Sequence, residues 1–210
     1  GGTIYAEGKE NPNETNEMNP YGAAGIGGGY FGGNTTINIS GGDITAAGAA
    51  KSPCVGCSNY ARITISGGTI RAVSNPLSRE IGSYMPNCDL MTSTKSGNSI
   101  IYVSGPNKIS SWYESSWNGV VWEGAAGKVC GSVDLTGKDF TIAAGETLTV
   151  PGSTEGENPT PALIISQANF HNNGTITGTG MVRMDGKDYR IENNTLVPLG
   201  EVVPPEGVTV

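Results

Sequence analysis

Short apolar runs alternate with hydroxyl and amide side chains along most of the chain, and glycines separate one run from the next. Residues 37–39, 63–65, 100–103 and 163–165 show this pattern. Apolar residues at alternate positions are typical of strands, and glycines at the boundaries mark turns. No stretch keeps apolar residues at helical spacing over several turns. The pattern therefore predicts an all-β protein.

A phrase with a constant order of apolar, hydroxyl and glycine positions recurs along the chain. ISGGDITA at residues 39–46 returns as ISGGTIRA at residues 65–72, an offset of 26 residues, and a weaker copy, VSGPNKIS, occupies residues 103–110. A second element, which reads GIGG, CVGC and EIGS in its three copies, precedes each phrase. Two elements that repeat together in a fixed order indicate a repeat architecture.

One unit of this length cannot bury its own apolar face, so successive units must stack on one another. Stacking in register forms continuous apolar ladders inside a coil, and glycine pairs allow sharp corners. We therefore predict a right-handed parallel β-helix, a solenoid with short irregular insertions, in preference to a β-sandwich. The expected ladders place Ile39 beside Ile65 and Val103, and Ile44 beside Ile70 and Ile109.

Short strands of the same kind continue through the C-terminal half, although the motif changes near residues 111–130. Residues 1–199 are predicted to form a single β-helix domain, from which a polar loop at 152–161 protrudes. Residues 200–210 have the composition of a linker to a following domain. Because the first residues, GGTIYA, match the middle of a repeat, we expect the chain to be an N-terminally truncated part of a larger multidomain protein. Within that protein we expect it to be monomeric.

Charge narrows the range of partners. The chain contains 33 glycines, 15% charged residues and 12 lysines and arginines against 19 acids, for a net charge of −7. Nucleic-acid binders need a basic surface to neutralise phosphates, so no nucleic-acid partner is expected. No apolar run is long enough to span a bilayer, so no membrane insertion is expected.

Two segments resemble a known family of repeats. GAAGIGGG at residues 22–29 and INISGGDITA at residues 37–46 are similar to the repeats of Gram-positive, mainly clostridial, surface proteins with carbohydrate-binding or adhesin-like roles. Residues 127–150 and NNGTIT at 172–177 are similar to further coils of the same proteins. The resemblance covers most of the chain apart from residues 84–126. It implies a secreted or cell-surface β-helix that faces a glycan.

All three tryptophans lie in one segment, SWYESSWNGVVW at residues 111–122. Exposed aromatic rings stack on sugar faces, and neighbouring polar groups bond the hydroxyls. This predicts a polysaccharide-binding platform; the alternative is that the rings fill the junction between two kinds of coil. The residues of the platform are Trp112, Tyr113, Trp117 and Trp122.

Calcium and disulfides are the other candidate features. Asp43, Glu80 and Asp89 in the repeat region are candidate ligands for Ca²⁺, which prefers carboxylate and carbonyl oxygens, although no EF-hand spacing is present. Four cysteines allow three disulfide pairings, and the spacing does not favour a zinc site. The cysteines are Cys54, Cys57, Cys88 and Cys130.

The predicted function is a non-catalytic module that binds polysaccharide or a host or cell-surface glycan, with calcium assisting. A structural stalk or adhesin segment with no ligand of its own is the first alternative. A polysaccharide lyase, using arginines such as Arg62, Arg71 and Arg79, is the second. Enzymatic activity is not expected, because His171 is the only histidine and it lies beside an asparagine-rich turn.

Overall fold

The structure, a computed structural model, describes the chain in segments. These are residues 2–9, 22–28, 35–49, 52–57, 60–73, 79–83, 87–91, 97–109, 117–152 and 161–200, and for 87–91 only the backbone is described. The predicted linker after residue 200, most of the predicted loop, and residues 110–116 with Trp112 and Tyr113 lie outside the described residues. Within the described ranges no helix has the length and apolarity needed to cross a bilayer.

The described residues form nineteen strands, most of them short, and most neighbouring strands pair in parallel. Those of the N-terminal half are β1 (Thr3–Glu7), β2 (Ile26–Gly27), β3 (Thr35–Ala47), β4 (Val55–Cys57), β5 (Tyr60–Val73), β6 (Ile81–Ser83), β7 (Asn87–Met91), β8 (Asn98–Val103) and β9 (Gly119–Glu123). Those of the C-terminal half are β10 (Ala126–Cys130), β11 (Val133–Asp134), β12 (Phe140–Ile142), β13 (Thr147–Thr149), β14 (Leu163–Ile165), β15 (Phe170–Asn172), β16 (Thr175–Thr177), β17 (Val182–Met184), β18 (Lys187–Glu192) and β19 (Thr195–Pro198).

The repeat detected in the sequence is the coil of a parallel β-helix. β3 and β5 pair in parallel, with Ile39 opposite Ile65 and Ile44 opposite Ile70. On another face of the coil, β2, β4 and β6 pair in parallel through the apolar-glycine element. The predicted all-β parallel β-helix is therefore confirmed.

The register predicted for the third copy of the phrase is wrong. Ile101 lies opposite Ile70, where Ile109 was expected, and Ile109 instead bridges to Ile81. The reason is that the coil above β5 is divided between two strands: β7 pairs with the first part of β5 and β8 with the second. In β3 and β5 the glycine pair of the phrase lies in the middle of one long strand. Gly105, the glycine of the third copy, instead follows the end of β8.

Glycines stack wherever the apolar-glycine element repeats. Gly27 lies opposite Gly56, and Gly56 lies opposite Gly82. Gly56 has a φ of +142°, and a Cβ atom built on it would lie 1.7 Å from the carbonyl oxygen of Gly82. The coils can approach each other here only because these positions have no side chain.

Two hydrophobic cores lie on opposite faces of one sheet. The long sheet has the order β1-β3-β5-β8-β9-β10-β13-β16. On β9, Val121 belongs to the core of the N-terminal coils, whereas its neighbours Val120 and Trp122 belong to the core of the C-terminal coils. Since successive side chains of a strand point to opposite faces, the sheet is buried on both sides at this level.

The chain reverses direction at the same level. β9 and β10 pair antiparallel, with Val120 opposite Val129, and every later strand of the sheet is parallel to β10. A rotation of 180° about the solenoid axis reverses the direction of every strand and also exchanges the two faces of the sheet. The second set of coils is therefore related to the first by such a rotation, which preserves the handedness of the coil. The two sets of coils consequently wind in the same sense and follow one another along one shared sheet, on opposite faces of it.

Coils in the C-terminal half have three short strands on three faces. β10, β13 and β16 stack on one face, β11, β14 and β17 on the second, and β12 and β15 on the third. After β17 the chain forms two antiparallel strands, β18 and β19, that end the second sheet. This hairpin closes the C-terminal end of the described solenoid.

The described cysteines lie in the N-terminal core as thiols and not as disulfides. Cys54, Cys57 and Cys130 are all buried. The Cys54 Sγ donates to the carbonyl oxygen of Val73 at 3.0 Å, and burial raises the pKa of this thiol to about 11. Cys88 lies on β7, where its side chain is outside the described residues. No disulfide predicted from the sequence is present among the described cysteines.

Replacing Gly56 by Ala should destabilise the fold by about 3 kcal/mol or more, because the methyl group meets the next coil and the positive φ is strained. Chemical denaturation measures this loss. The matched control is Gly105→Ala, where a Cβ has nothing within 4 Å and φ is not positive. That variant should stay within about 0.5 kcal/mol of the parent. Equal stability of the two variants would refute the close stacking of coils.

Cys54 should resist alkylation in the native protein at pH 8, because its thiol is buried and almost fully protonated. Peptide-resolved mass spectrometry after iodoacetamide treatment should show labelling at least about a hundredfold slower than in the denatured chain. Similar rates in both states would mean that this side of the core is accessible to solvent.

Candidate functional site

Trp117 is a core residue. Its side chain is 2% exposed, and its Nε1 donates to the carbonyl oxygen of Ile65 at 3.0 Å. Ile65 lies in the gap between the segments of β5 that pair with β7 and β8. The indole thus fills a break in the ladder, and it offers no ring face to a sugar.

Trp122 is also buried, with 0% of its side chain exposed, and it packs in the C-terminal core. Its ring stacks on Tyr102, with centroids 6.3 Å apart and planes 6° from parallel. A Cβ atom on Gly127 would lie 2.6 Å from this indole, so the glycine makes room for it. For Trp117 and Trp122 the alternative reading applies, since both rings fill the junction between the two kinds of coil.

The predicted calcium ligands do not come together. Asp43 is on the outer face of the long sheet, whereas Glu80 is completely buried. Glu80 accepts hydrogen bonds from the amide and the hydroxyl of Ser104, at 2.8 and 2.5 Å. Asp89 lies opposite Arg62 in register, and its side chain is outside the described residues. In the part of the chain that the structure describes, no group of three or more metal-ligating side chains is present.

His171 and the arginines considered for catalysis are also dispersed. His171 is exposed on β15 in the C-terminal half, opposite Thr141. Arg62 and Arg71 project from the two ends of β5 in the N-terminal half. His171 and these two arginines therefore do not form one site.

A different set of side chains gathers on the outer face of the long sheet, and we call it the outer strip: Tyr5, Asp43, Thr45, Arg71 and Tyr102. Tyr5 lies opposite Thr45, Thr45 opposite Arg71, and Arg71 opposite Tyr102, so four neighbouring strands contribute one cross-strand row. Asp43 lies two positions before Thr45 on β3. Tyr5 is 67% exposed, which makes its ring the most accessible large apolar surface of the strip.

Arg71 is held in place from two sides. Its Nη1 lies 2.5 Å from Oδ1 of Asp43, and its guanidinium carbon lies 5.3 Å from the centroid of the Tyr102 ring. Tyr102 in turn stacks on buried Trp122. Burial raises the pKa of Tyr102, and the nearby charge of Arg71 opposes that shift. The stack therefore anchors an exposed cation to the C-terminal core, although the ion pair itself is exposed and contributes little stability.

Of the residues in the outer strip, Asp43 and Arg71 were singled out from the sequence as candidates, whereas Tyr5, Thr45 and Tyr102 were not. For Tyr5 and Thr45 the signal was present in the repeat, because each follows an isoleucine of one ladder, Ile4 or Ile44. Identifying the outward side chains of successive repeats in register would have located Tyr5, Thr45 and Arg71, whereas Tyr102 lies in the coil whose register the repeat did not predict.

Comparison with known proteins supports the architecture of the N-terminal coils. The profile of a family described as "Beta helix repeat" matches residues 1–30, 37–56 and 63–76. No curated protein matches the chain, and no solved structure does. The matched segments include β1 and β2 and most of β3, β4 and β5. The N-terminal half of this chain thus contains β-helix repeats.

Proposed function

We propose that this chain is a non-catalytic module of a secreted or cell-surface protein and that it binds a polysaccharide along the outer strip. The observation that carries the proposal is the row Tyr5, Thr45, Arg71 on three neighbouring coils. An exposed aromatic ring beside hydroxyl and guanidinium donors is the combination that recognises sugar rings and their hydroxyl groups. The resemblance to glycan-facing surface repeats agrees with this chemistry.

The rigidity of the strip supports binding with little ordering cost. Its side chains project from strand positions that pair in register with the neighbouring coil, Tyr5 with Thr45, Thr45 with Arg71 and Arg71 with Tyr102. Arg71 is already oriented by Asp43 and by the Tyr102 ring. A ligand that meets such a preorganised surface loses less free energy to the ordering of side chains.

The charge of the strip favours a neutral or weakly charged glycan. Asp43 neutralises Arg71, and at the end of β1 Glu7 pairs with Lys9 at 2.8 Å. The chain as a whole carries a net charge of −7. An acidic polysaccharide would be repelled by the chain and would have to displace Asp43 from Arg71. Assistance from calcium remains a prediction from the sequence, for which the chelator arm of the experiment is the test.

A structural stalk is the second candidate function. It is favoured by the ladder Ile44, Ile70, Ile101, Val121, which runs through the N-terminal core into the sheet shared with the second core. Coils locked in this way form a stiff rod and need no ligand. Screening for glycan binding distinguishes the two functions.

Replacing Tyr5 by Ala should weaken binding to the recognised polysaccharide about tenfold, because the stacking surface is lost. A panel of neutral and acidic polysaccharides, measured by affinity electrophoresis and calorimetry with and without chelator, identifies the ligand. Arg71→Gln should weaken binding by a similar factor. Both side chains are substantially exposed, so the midpoint of unfolding should change little.

The control is Leu199→Ala, which truncates another exposed apolar side chain outside the strip. It should bind like the parent. A folded parent protein that binds nothing in the panel would favour the stalk. Release of unsaturated sugars, seen by ultraviolet absorbance, would instead support the lyase alternative and refute a non-catalytic role.

A further inference from the structure

The outer strip is closed at one end. Arg71 is exposed, Tyr102 opposite it is half-buried, and Trp122 opposite Tyr102 is completely buried. These three positions follow one another in register on β5, β8 and β9. The coils of the C-terminal half cover the row from Trp122 onwards, because their core includes this indole. The accessible part of the row therefore stops at Tyr102.

A segment of the C-terminal half packs against the start of β8. Val133 bridges to Gly97, and the amide of Asp134 donates to the Gly97 carbonyl oxygen at 2.8 Å. Lys138 Nζ donates to the carbonyl oxygen of Asn98, the first residue of β8. Burial lowers the pKa of this lysine. These contacts hold the segment against the sheet at the level where the row ends.

Glu146 brings a carboxylate to the other end of β8. Its Oε2 accepts from the amide of Ala143 at 2.8 Å, so the turn that carries the side chain also orients it. Burial raises the pKa of Tyr102, the charge of Arg71 opposes this shift, and the charge of Glu146 adds to it. The carboxylate therefore lies close enough to act on the Tyr102 hydroxyl. Residues 133–146 thus form a wall across the end of the outer strip.

Arg71, Tyr102 and Glu146 meet where the sheet reaches this wall, and we call them the terminal corner. A guanidinium has five N–H donors, and the ion pair with Asp43 engages Nη1. The Ala143 amide engages Oε2 of Glu146, and the carboxylate has a second oxygen that accepts hydrogen bonds. A hydroxyl group both donates and accepts, so a guanidinium and a carboxylate on two sides of it match its chemistry.

We propose that the outer strip recognises the end of a polysaccharide chain and that the terminal corner holds the last sugar, an inference that rests on the polysaccharide-binding function proposed above. A chain that follows the row runs across the strands, along the solenoid axis, and meets the wall beyond Tyr102. An internal sugar would have to continue through that wall. The last sugar ends there, and it presents to Arg71 and Glu146 a free hydroxyl that an internal sugar has exchanged for a glycosidic bond.

The number of protein molecules bound to each chain distinguishes end recognition from binding along the chain. Isothermal titration calorimetry with size-fractionated xylan, glucomannan, β-glucan and amylose measures this number. One protein should bind each chain whatever its length, because a chain has one end of each kind. Borohydride reduction of the same fractions identifies the end: loss of binding assigns the reducing end, and unchanged binding assigns the opposite end.

A number of bound proteins that rises with chain length would overturn end recognition and leave the polysaccharide-binding function in place. Failure of the folded protein to bind any fraction, or any acidic polysaccharide, would refute that function and this inference together.

Replacing Glu146 by Gln removes the charge and keeps an oxygen that accepts from the Ala143 amide. Binding to the recognised fraction should weaken about tenfold, because the sugar hydroxyl loses a charged acceptor. The matched control is Glu192→Gln, which makes the same change at an exposed glutamate of the C-terminal hairpin. The control should bind like the parent, whereas equal affinity of Glu146→Gln and the parent would overturn the proposal.

Tyr102→Phe is a second variant that leaves the fold in place. It removes the hydroxyl and retains the ring that stacks on Trp122. Binding to the same fraction should weaken, because the hydroxyl lies in the terminal corner beside Glu146. Unchanged affinity in this variant would show that the last sugar does not reach the corner.

Discussion

Burial of one sheet on both of its faces is the constraint on which the structure depends. At the level of β8 to β10 the long sheet is the wall of two cores, so neighbouring residues such as Val120 and Val121 each point into apolar surroundings. In an ordinary solenoid, each strand has one face in the core and one face exposed to solvent. Here the antiparallel β9–β10 pairing turns the chain round, and the second set of coils covers what would otherwise be the outer surface.

The same constraint decides where ligand recognition can take place. The outer face of the long sheet is exposed on β1, β3 and β5 and becomes buried further along. Tyr102 lies at this boundary, with Arg71 on one face of its ring and Trp122 on the other. The transition from surface to core is thus made by one stack of side chains, and the outer strip ends where the second core begins.

Much of the N-terminal half follows from its repeat. The offset of ISGGDITA and ISGGTIRA predicted the pairing of Ile39 with Ile65 and of Ile44 with Ile70, because matched apolar positions must stack to be buried. The weak third copy of the phrase predicted a wrong register for Ile109, because the division of the next coil into β7 and β8 leaves no trace in the local pattern. The burial of Trp122 was also not predictable, because it depends on a second core formed by residues far along the chain. The burial of Trp117 depends on the break in pairing at Ile65, which the local pattern does not show either.

The stability of two adjacent substitutions tests the doubly buried sheet most directly. Val120→Asp and Val121→Asp each place a charge in a different core, and the account predicts that both lower the free energy of unfolding by at least about 3 kcal/mol. In a solenoid with a single core, one of these neighbours would face solvent. Denaturation curves showing that either variant is as stable as the parent would contradict the account.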